Sequence, residues 1–205
     1  MSDLSNIELN YKEIINTVTS NMCKLFVRRG YTDMNLETCK LDDNIIKEIH
    51  SNKTSNFTMN NMKISIQILN QEVKNISSNS PIDDYLSKNL DYHKFLIVRS
   101  FAKKTYKQVT NDYVNCEIFS IHEFLEDIPS KLFIPMHEII RGAPKEELLN
   151  TFAIKELGRI YSTDMMARYY GAVLNDVFRI SRPNITSGNS IYYRVVVPGS
   201  LEVFN

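Results

Sequence analysis

A strong charge of either sign is absent from this 205-residue sequence: Lys and Arg number 24, as do Asp and Glu, and the isoelectric point is near 6.9. No overall field therefore steers it to nucleic acid or to an acidic membrane, and any nucleic-acid role has to rest on a local patch. Glycine is scarce, six in all. Neither a P-loop nor a Gly-x-Gly-x-x-Gly turn occurs, which excludes the usual backbone cradles for a nucleotide. The Gly-x-Ser-x-Gly nucleophile elbow is also missing. The three cysteines, Cys23, Cys39 and Cys116, lie far apart along the chain. An odd, sparse count fits a reducing compartment and argues against a disulfide framework. None of His50, His93, His122 and His137 is spaced with another His or Cys as a ligand set, so no metal and no cofactor is expected. No apolar run approaches the ~20 residues that span a bilayer, and the opening residues lack a basic-then-apolar secretion pattern. No membrane partner is expected.

Hydrophobic residues make up 43% and charged residues 23%, which is ordinary material for a buried core. Ser5-Asn6-Ile7-Glu8 reads as a capping box, and Ile7, Tyr11, Ile14, Val18, Met22 and Leu25 follow at helical spacing up to a stop at Gly30. Asp42 and Asp43 open a shorter helix with Ile45, Ile46 and Ile49 inward. Met62, Ile64, Ile66 and Ile68 alternate with Lys63, Ser65 and Gln67, the period of a half-buried strand. An apolar strand over residues 94–99, a helix after it and a strand at 115–121 form a βαβ unit with a parallel or mixed sheet. The composition then shifts. Residues 1–130 carry 12 Lys and 3 Arg against 17 acids, and residues 131–205 carry 3 Lys and 6 Arg against 7. Arg is enriched at protein interfaces and Lys depleted, so a domain boundary is placed here. The fold class expected is an α/β first domain over 1–130 and a small α+β second domain over 131–205. In the latter, Pro144 opens a helix, Thr163 and Asp164 cap another, and a hairpin closes around 183–189.

Two places bear on chemistry. Glu72-Val73-Lys74 has the acid-x-Lys form of a restriction-type nuclease, in which acids hold a hard cation and the lysine orients a water. The partner acid on an earlier strand is missing, because Asp42, Asp43 and Glu48 fall on a helix and Asp83 and Asp84 come later. A solvated strand end is the simpler reading, with a stand-alone metal-dependent nuclease as the alternative. Arg99, Lys103, Lys104 and Lys107, interleaved with Phe101 and Tyr106, could meet phosphates. Four charges neutralise only a few phosphates, so a free DNA-binding module would bind weakly and salt-sensitively.

The stretch from Ser162 to Asn184 is different. Met165 and Tyr169 share one helix face and Met166 and Tyr170 another, and Arg159, Arg168, Arg179, Arg182 and Arg194 crowd the same small domain. Aromatics and Arg beside apolar surface are the stuff of interface hot spots. No nucleophile with a base accompanies them, so this surface is expected to dock on a larger protein.

The residues also carry a resemblance. Ile134-Pro135-Met136-His137, Ile160, Asp164, Arg168, Tyr169, Gly171, Arg182, Thr186, Gly188, Tyr193 and Arg194 resemble the C-terminal domain of the fifth subunit shared by eukaryotic RNA polymerases, together with its archaeal counterpart. Gly158 and Met165 depart from it, standing where the family usually has proline. The first 130 residues are similar to that family's N-terminal jaw domain, whose fold is like a restriction endonuclease without being one. Where the family's jaw has a Thr-Pro-Ser loop near downstream DNA, this chain has Ser100-Phe101-Ala102. The resemblance implies a non-catalytic subunit of a multisubunit DNA-directed RNA polymerase. Its second domain would dock on the largest subunit through His137, Arg159, Arg168, Tyr169, Tyr170, Arg182 and Arg194. Arg99, Lys103, Lys104 and Lys107 would lie near DNA. The Asn and Ile bias and the lost prolines look like a copy from a large cytoplasmic DNA virus of the African swine fever type, which implies virion and host cytoplasm. A cellular copy would be nuclear.

Overall fold

The first helix begins directly after Asn10 in the computed structural model, which describes residues 10–184 and 188–199. Asn10 Oδ1 accepts from the Lys12 amide at 3.3 Å, and Glu13 accepts from the Asn10 amide at 3.1 Å. This capping box starts α1 (Tyr11–Arg28). The box read at Ser5–Glu8 lies outside the described residues. Gly30, at φ +72, supplies the left-handed residue that ends the helix. The chain divides into two units, Met1–Glu126 and Asp127–Asn205.

In the first unit, α2 (Asp43–Asn52) leads into β1 (Thr54–Met59) and β2 (Met62–Val73). Asn60 and Asn61 both have positive φ, as a two-residue hairpin turn requires. Then come α3 (Pro81–Ser87), β3 (His93–Phe101), α4 (Lys103–Asp112) and β4 (Cys116–Ser120). The strand order is β1-β2-β3-β4; β1 pairs antiparallel and β2, β3 and β4 run parallel. The expected βαβ unit is β3-α4-β4. Because β3 is covered on both faces, its side chains are buried in unbroken succession from Lys94 to Val98. One face carries Leu96, Val98 and Ile118 against Ile82, Leu86 and Val109 of α3 and α4. The other carries Phe95, whose ring meets Phe26 of α1 edge-on at 5.3 Å.

A charged side chain lies inside this apolar run. Lys94 is 1% exposed, and its ammonium donates to the Leu86 carbonyl at 2.5 Å. Leu86 is in the last turn of α3, where the dipole favours a cation. Burial pushes the Lys94 pKa down, and the Cys116 thiol and Asp91 oppose it.

Arg29, at the end of α1, is buried as well. Its guanidinium makes a two-pronged ion pair with Glu117 of β4, at 2.6 and 2.8 Å. His93 Nε2 meets the same carboxylate at 2.6 Å, and Arg29 lies over the Phe95 ring at 5.5 Å. Three elements meet at one carboxylate. Despite burial, the charge of Arg29 and its hydrogen bonds, then the bond from His93, hold Glu117 down at about 2.

The second unit has β5 (Met136–Ile140), α5 (Ala143–Thr151), β6 (Gly158–Tyr161), α6 (Met165–Tyr169), β7 (Val177–Asn184) and β8 (Gly188–Val197), with strand order β5-β7-β8-β6. The hairpin β7-β8 is central, β5 pairs antiparallel with β7, and β6 pairs parallel with β8. Residues 185–187, Thr186 among them, lie outside the described residues. One face packs Phe178, Ile180, Ile160 and Val196 against Ala167 of α6, and the other packs Ile140, Val177 and Val195 with Leu148 and Leu157.

Gly158 explains one departure from the resemblance. A Cβ there would sit 3.3 Å from both Arg194 Cγ and the Tyr193 carbonyl oxygen, so glycine lets β6 lie close along β8. Met165 is the first residue of α6 behind the Asp164 cap, a position that tolerates proline but does not need it.

Candidate docking surface and basic strand end

Side chains paired across a sheet share a face, so the register sorts the arginines. His137, Ile180 and Tyr192 form one row, and Ile139, Phe178 and Arg194 the next, on the face that α6 covers. Tyr170 and His137 both meet the Phe178 ring edge-on, at 6.0 and 5.8 Å. The His137 ring nitrogen Nδ1 lies 2.7 Å from the Pro135 carbonyl. Burial holds this imidazole below its ordinary value; the Pro135 carbonyl and Asp164 oppose that, and Arg194 adds to it. His137, Tyr170 and Arg194 thus come together as one group. Arg182 is exposed further along β7, opposite Ser190. Arg159 pairs with Val195, one residue on from Gly158 opposite Arg194, and so points to the other face of the sheet.

Arg168 and Tyr169 are corrections to the surface reading. They are 6% and 4% exposed, and Met166 and Ala167 are buried with them. Four consecutive helical positions, each about 100° from the last, go round the whole circumference. The helix is therefore enclosed on every side, and Arg168 and Tyr169 support the surface from beneath. The i, i+4 pairing also divides differently, with Met166 and Tyr169 buried and Met165 and Tyr170 half-buried.

Apolar side chains that sequence reasoning passed over form the more telling feature. Among the described residues, thirteen large apolar side chains are exposed, and ten of them belong to the second unit, the smaller of the two. Leu132 is 100% exposed, Phe133 76% and Met136 62%. Met136 and Ile191 flank Ser181 in one row, on the face away from α6. The next row, Glu138, Arg179 and Tyr193, lines a depression of about 680 Å³ with Pro144 and Leu148 of α5. Arg179 and Glu138 approach to 3.5 Å within it. On this face Leu148 of α5 packs against Ile140, Val177 and Val195, while Met136 and Ile191 stay exposed. The only sequence signal was the apolar cluster at 132–136, and the alternation of β8, Ile191-Tyr192-Tyr193-Arg194, hides which side is covered.

In the first unit, Arg99 is exposed on β3, and Lys103 and Lys104 occupy the first turn of α4, with Lys107 a turn later. No acid sits in that first turn, and Ala102 provides no side-chain cap. Cations at the positive end of a helix are unfavourable, and an anion placed there would relieve them. Phe101 and Tyr106 stack beside them at 6.3 Å. Glu72 and Lys74 face each other at 3.9 Å, both largely exposed, on the rim of a depression of about 690 Å³. Among the described residues no three His, Cys, Asp or Glu side chains converge in a way that could hold a metal ion, and no helix is long and apolar enough to cross a membrane.

Comparison with known proteins bears on this geometry. Residues 127–196 match the family model of the RNA polymerase Rpb5 C-terminal domain. DNA-directed RNA polymerase subunit 5 of Acanthamoeba polyphaga mimivirus is 27% identical over 193 residues, 89% of this chain and 92% of that protein. The rpabc1 subunit of DNA-directed RNA polymerases I, II and III of Dictyostelium discoideum is 34% identical over 103 residues, 49% of this chain and 52% of that protein. Subunit Rpo5 of the DNA-directed RNA polymerase of Archaeoglobus fulgidus is 35% identical over 68 residues, 32% of this chain and 90% of that protein. The archaeal match covers nearly the whole of its relative and falls within the size of the second unit, whereas the viral match extends across both units. The chain belongs to the RNA polymerase subunit 5, or Rpb5, family.

Proposed function

We propose that the chain is a non-catalytic subunit of a multisubunit DNA-directed RNA polymerase, with nucleotidyl transfer carried out by its larger partners. The second unit docks on the largest subunit through the open sheet face and the segment before β5. The first unit acts as a jaw with a restriction-endonuclease-like sheet. Its basic strand end, from Arg99 to Lys107, lies near downstream DNA. The observation that carries this reading is the crowding of exposed apolar side chains onto the unit that the family model matches. Leu132, Phe133 and Met136 are exposed within five residues of one another, and clustered exposed apolar surface favours a covering partner. A viral relative accords with a viral copy; a virus of the African swine fever type, and with it work in host cytoplasm and packaging in the virion, is the further part of this proposal, a cellular copy being nuclear.

Purification of the tagged chain from cells in which its polymerase is made is expected to bring the other polymerase subunits with it, in near-equal amounts. Recovery of the chain alone would remove the basis of the proposal. The approach to DNA has its own test. In the assembled polymerase, replacing Lys104 and Lys107 by Ser should make the log–log dependence of DNA affinity on salt shallower by about 2, one for each phosphate no longer neutralised. An unchanged slope would place the jaw away from DNA.

A further inference from the structure

The sheet of the first unit has a polar corner to which the proposed function gives no task. Register puts Asn56, Ser65, Lys94 and Cys116 in one row and Thr54, Gln67, Leu96 and Ile118 in the next, and side chains paired in this way share a face. At β3 and β4 this face is apolar, with Leu96 and Ile118 packed against Leu86 and Val109. At β1 and β2 it is hydroxyl and amide. Beside α3 it borders a depression of about 250 Å³, whose lining includes Ser65, Gln67, Tyr85 and Lys94. Two groups there are short of partners. An ammonium has three N–H donors, and the Leu86 carbonyl takes one from Lys94. Lys94 is buried, yet the acids near it are engaged elsewhere: Asp84, on the wall of the depression, pairs with Lys88 at 3.1 Å, and Asp91 pairs with Lys63. Gln67 donates through Nε2 to Thr54 Oγ1 at 3.2 Å, while its Oε1 is buried without a hydrogen-bond partner. Buried charges are ordinarily paired and buried acceptors ordinarily bonded.

We infer that this depression binds a small oxyanion that also carries a hydroxyl, hydrogen phosphate being the simplest: the ion accepts from the Lys94 ammonium, and its O–H donates to Gln67 Oε1. The chemistry of the two groups sets both requirements. Lys94 can only donate, so its partner must be an acceptor, and a negative one compensates the buried charge. Gln67 Oε1 can only accept, so the same partner must also carry a donor. Size sets a third requirement, because the depression is smaller than the roughly 300–1,000 Å³ of sites for drug-sized ligands. Burial pushes the Lys94 pKa down, and an anion against it favours the charged form. The site belongs to the first unit alone, so it does not depend on how the second unit docks.

The test is titration of the isotopically labelled full chain with phosphate and with sulfate, at matched pH and ionic strength, read from amide chemical shifts. Sulfate has the shape and charge of hydrogen phosphate but no O–H at neutral pH. The expected result is a saturable shift of the Asn56, Ser65, Gln67 and Lys88 amides, with phosphate held about fivefold more tightly than sulfate, the worth of one hydrogen bond. Lys94→Met keeps an unbranched side chain of similar volume and should abolish saturation with either ion. Gln67→Met should weaken phosphate to the level of sulfate and leave sulfate unchanged. An equal response to the two ions would mean an adventitious ion only. Shifts confined to Arg99, Lys103, Lys104 and Lys107, no saturable shift at all, or a Lys94→Met titration like that of the parent would each overturn the assignment. The comparison of the two ions needs no substitution, so a variant that folds poorly leaves the test decisive.

Discussion

Replacing Glu117 by alanine is expected to destabilise the first unit by about 3–5 kcal/mol, the range for removing one partner of a buried ion pair. That corresponds to a fall in melting temperature on the order of 10 °C. The reason is geometric. Arg29 is 2% exposed at its side chain and points into the ring face of Phe95, so without Glu117 its guanidinium has neither water nor its two-pronged partner. The same substitution takes the acceptor from His93. The carboxylate is held down at about 2 from its ordinary 4.5. A group whose folded value is depressed stabilises the fold in full above the unfolded value and loses that contribution as pH falls through the folded value. In the unsubstituted chain this part of the stability should therefore be constant above about pH 4.5 and drain away towards pH 2. Urea unfolding followed by circular dichroism across that range measures both effects. A Glu117→Ala midpoint within experimental error of the parent would show that the pair contributes nothing net.

The second large effect concerns assembly and leaves the fold alone. Substituting Leu132 and Phe133 together by aspartate should weaken incorporation into polymerase by roughly a thousandfold, at about 2 kcal/mol for each hot-spot side chain. The isolated chain should melt as before, because both side chains are exposed and exposed positions away from special interactions change stability by only about half a kcal/mol. Competitive reconstitution with the unsubstituted chain reads the ratio directly. Equal incorporation of the two chains would move the docking surface elsewhere. Arg168→Ala, by contrast, would confuse the two questions, since Arg168 is inside the unit and its loss acts first on folding.

The elements that were legible in the sequence share one property: their signal is local. The alternation of Ile64, Ile66 and Ile68, the apolar run in β3 and the hairpin around 183–189 can each be recognised within a dozen residues. The first strand and α3 were passed over. Yet Asn60-Asn61 is a turn signal, and Ser80 followed by Pro81 is a helix start, Ser80 accepting from the Asp83 amide at 3.2 Å. What no local pattern could show is the meeting of Arg29, His93 and Glu117, which are separated by up to 88 positions. For the surface proposed to dock, residue types pointed to the unit in which exposed apolar side chains also gather, because Arg is concentrated there. They did not separate inside from outside. A five-residue helix enclosed on all sides has no amphipathic stripe to read, so Arg168 and Tyr169 looked like surface.

The central position of the β7-β8 hairpin has a consequence for biosynthesis. Both edge strands of the second sheet, β5 and β6, precede that hairpin along the chain and hydrogen-bond to nothing in the sheet except its two strands. On a ribosome they emerge first and must wait, β5 for β7 as far as Asn184 and β6 for β8 as far as Val197. The sheet face proposed to dock is therefore complete only after β8 has been made, late in the synthesis of the second unit.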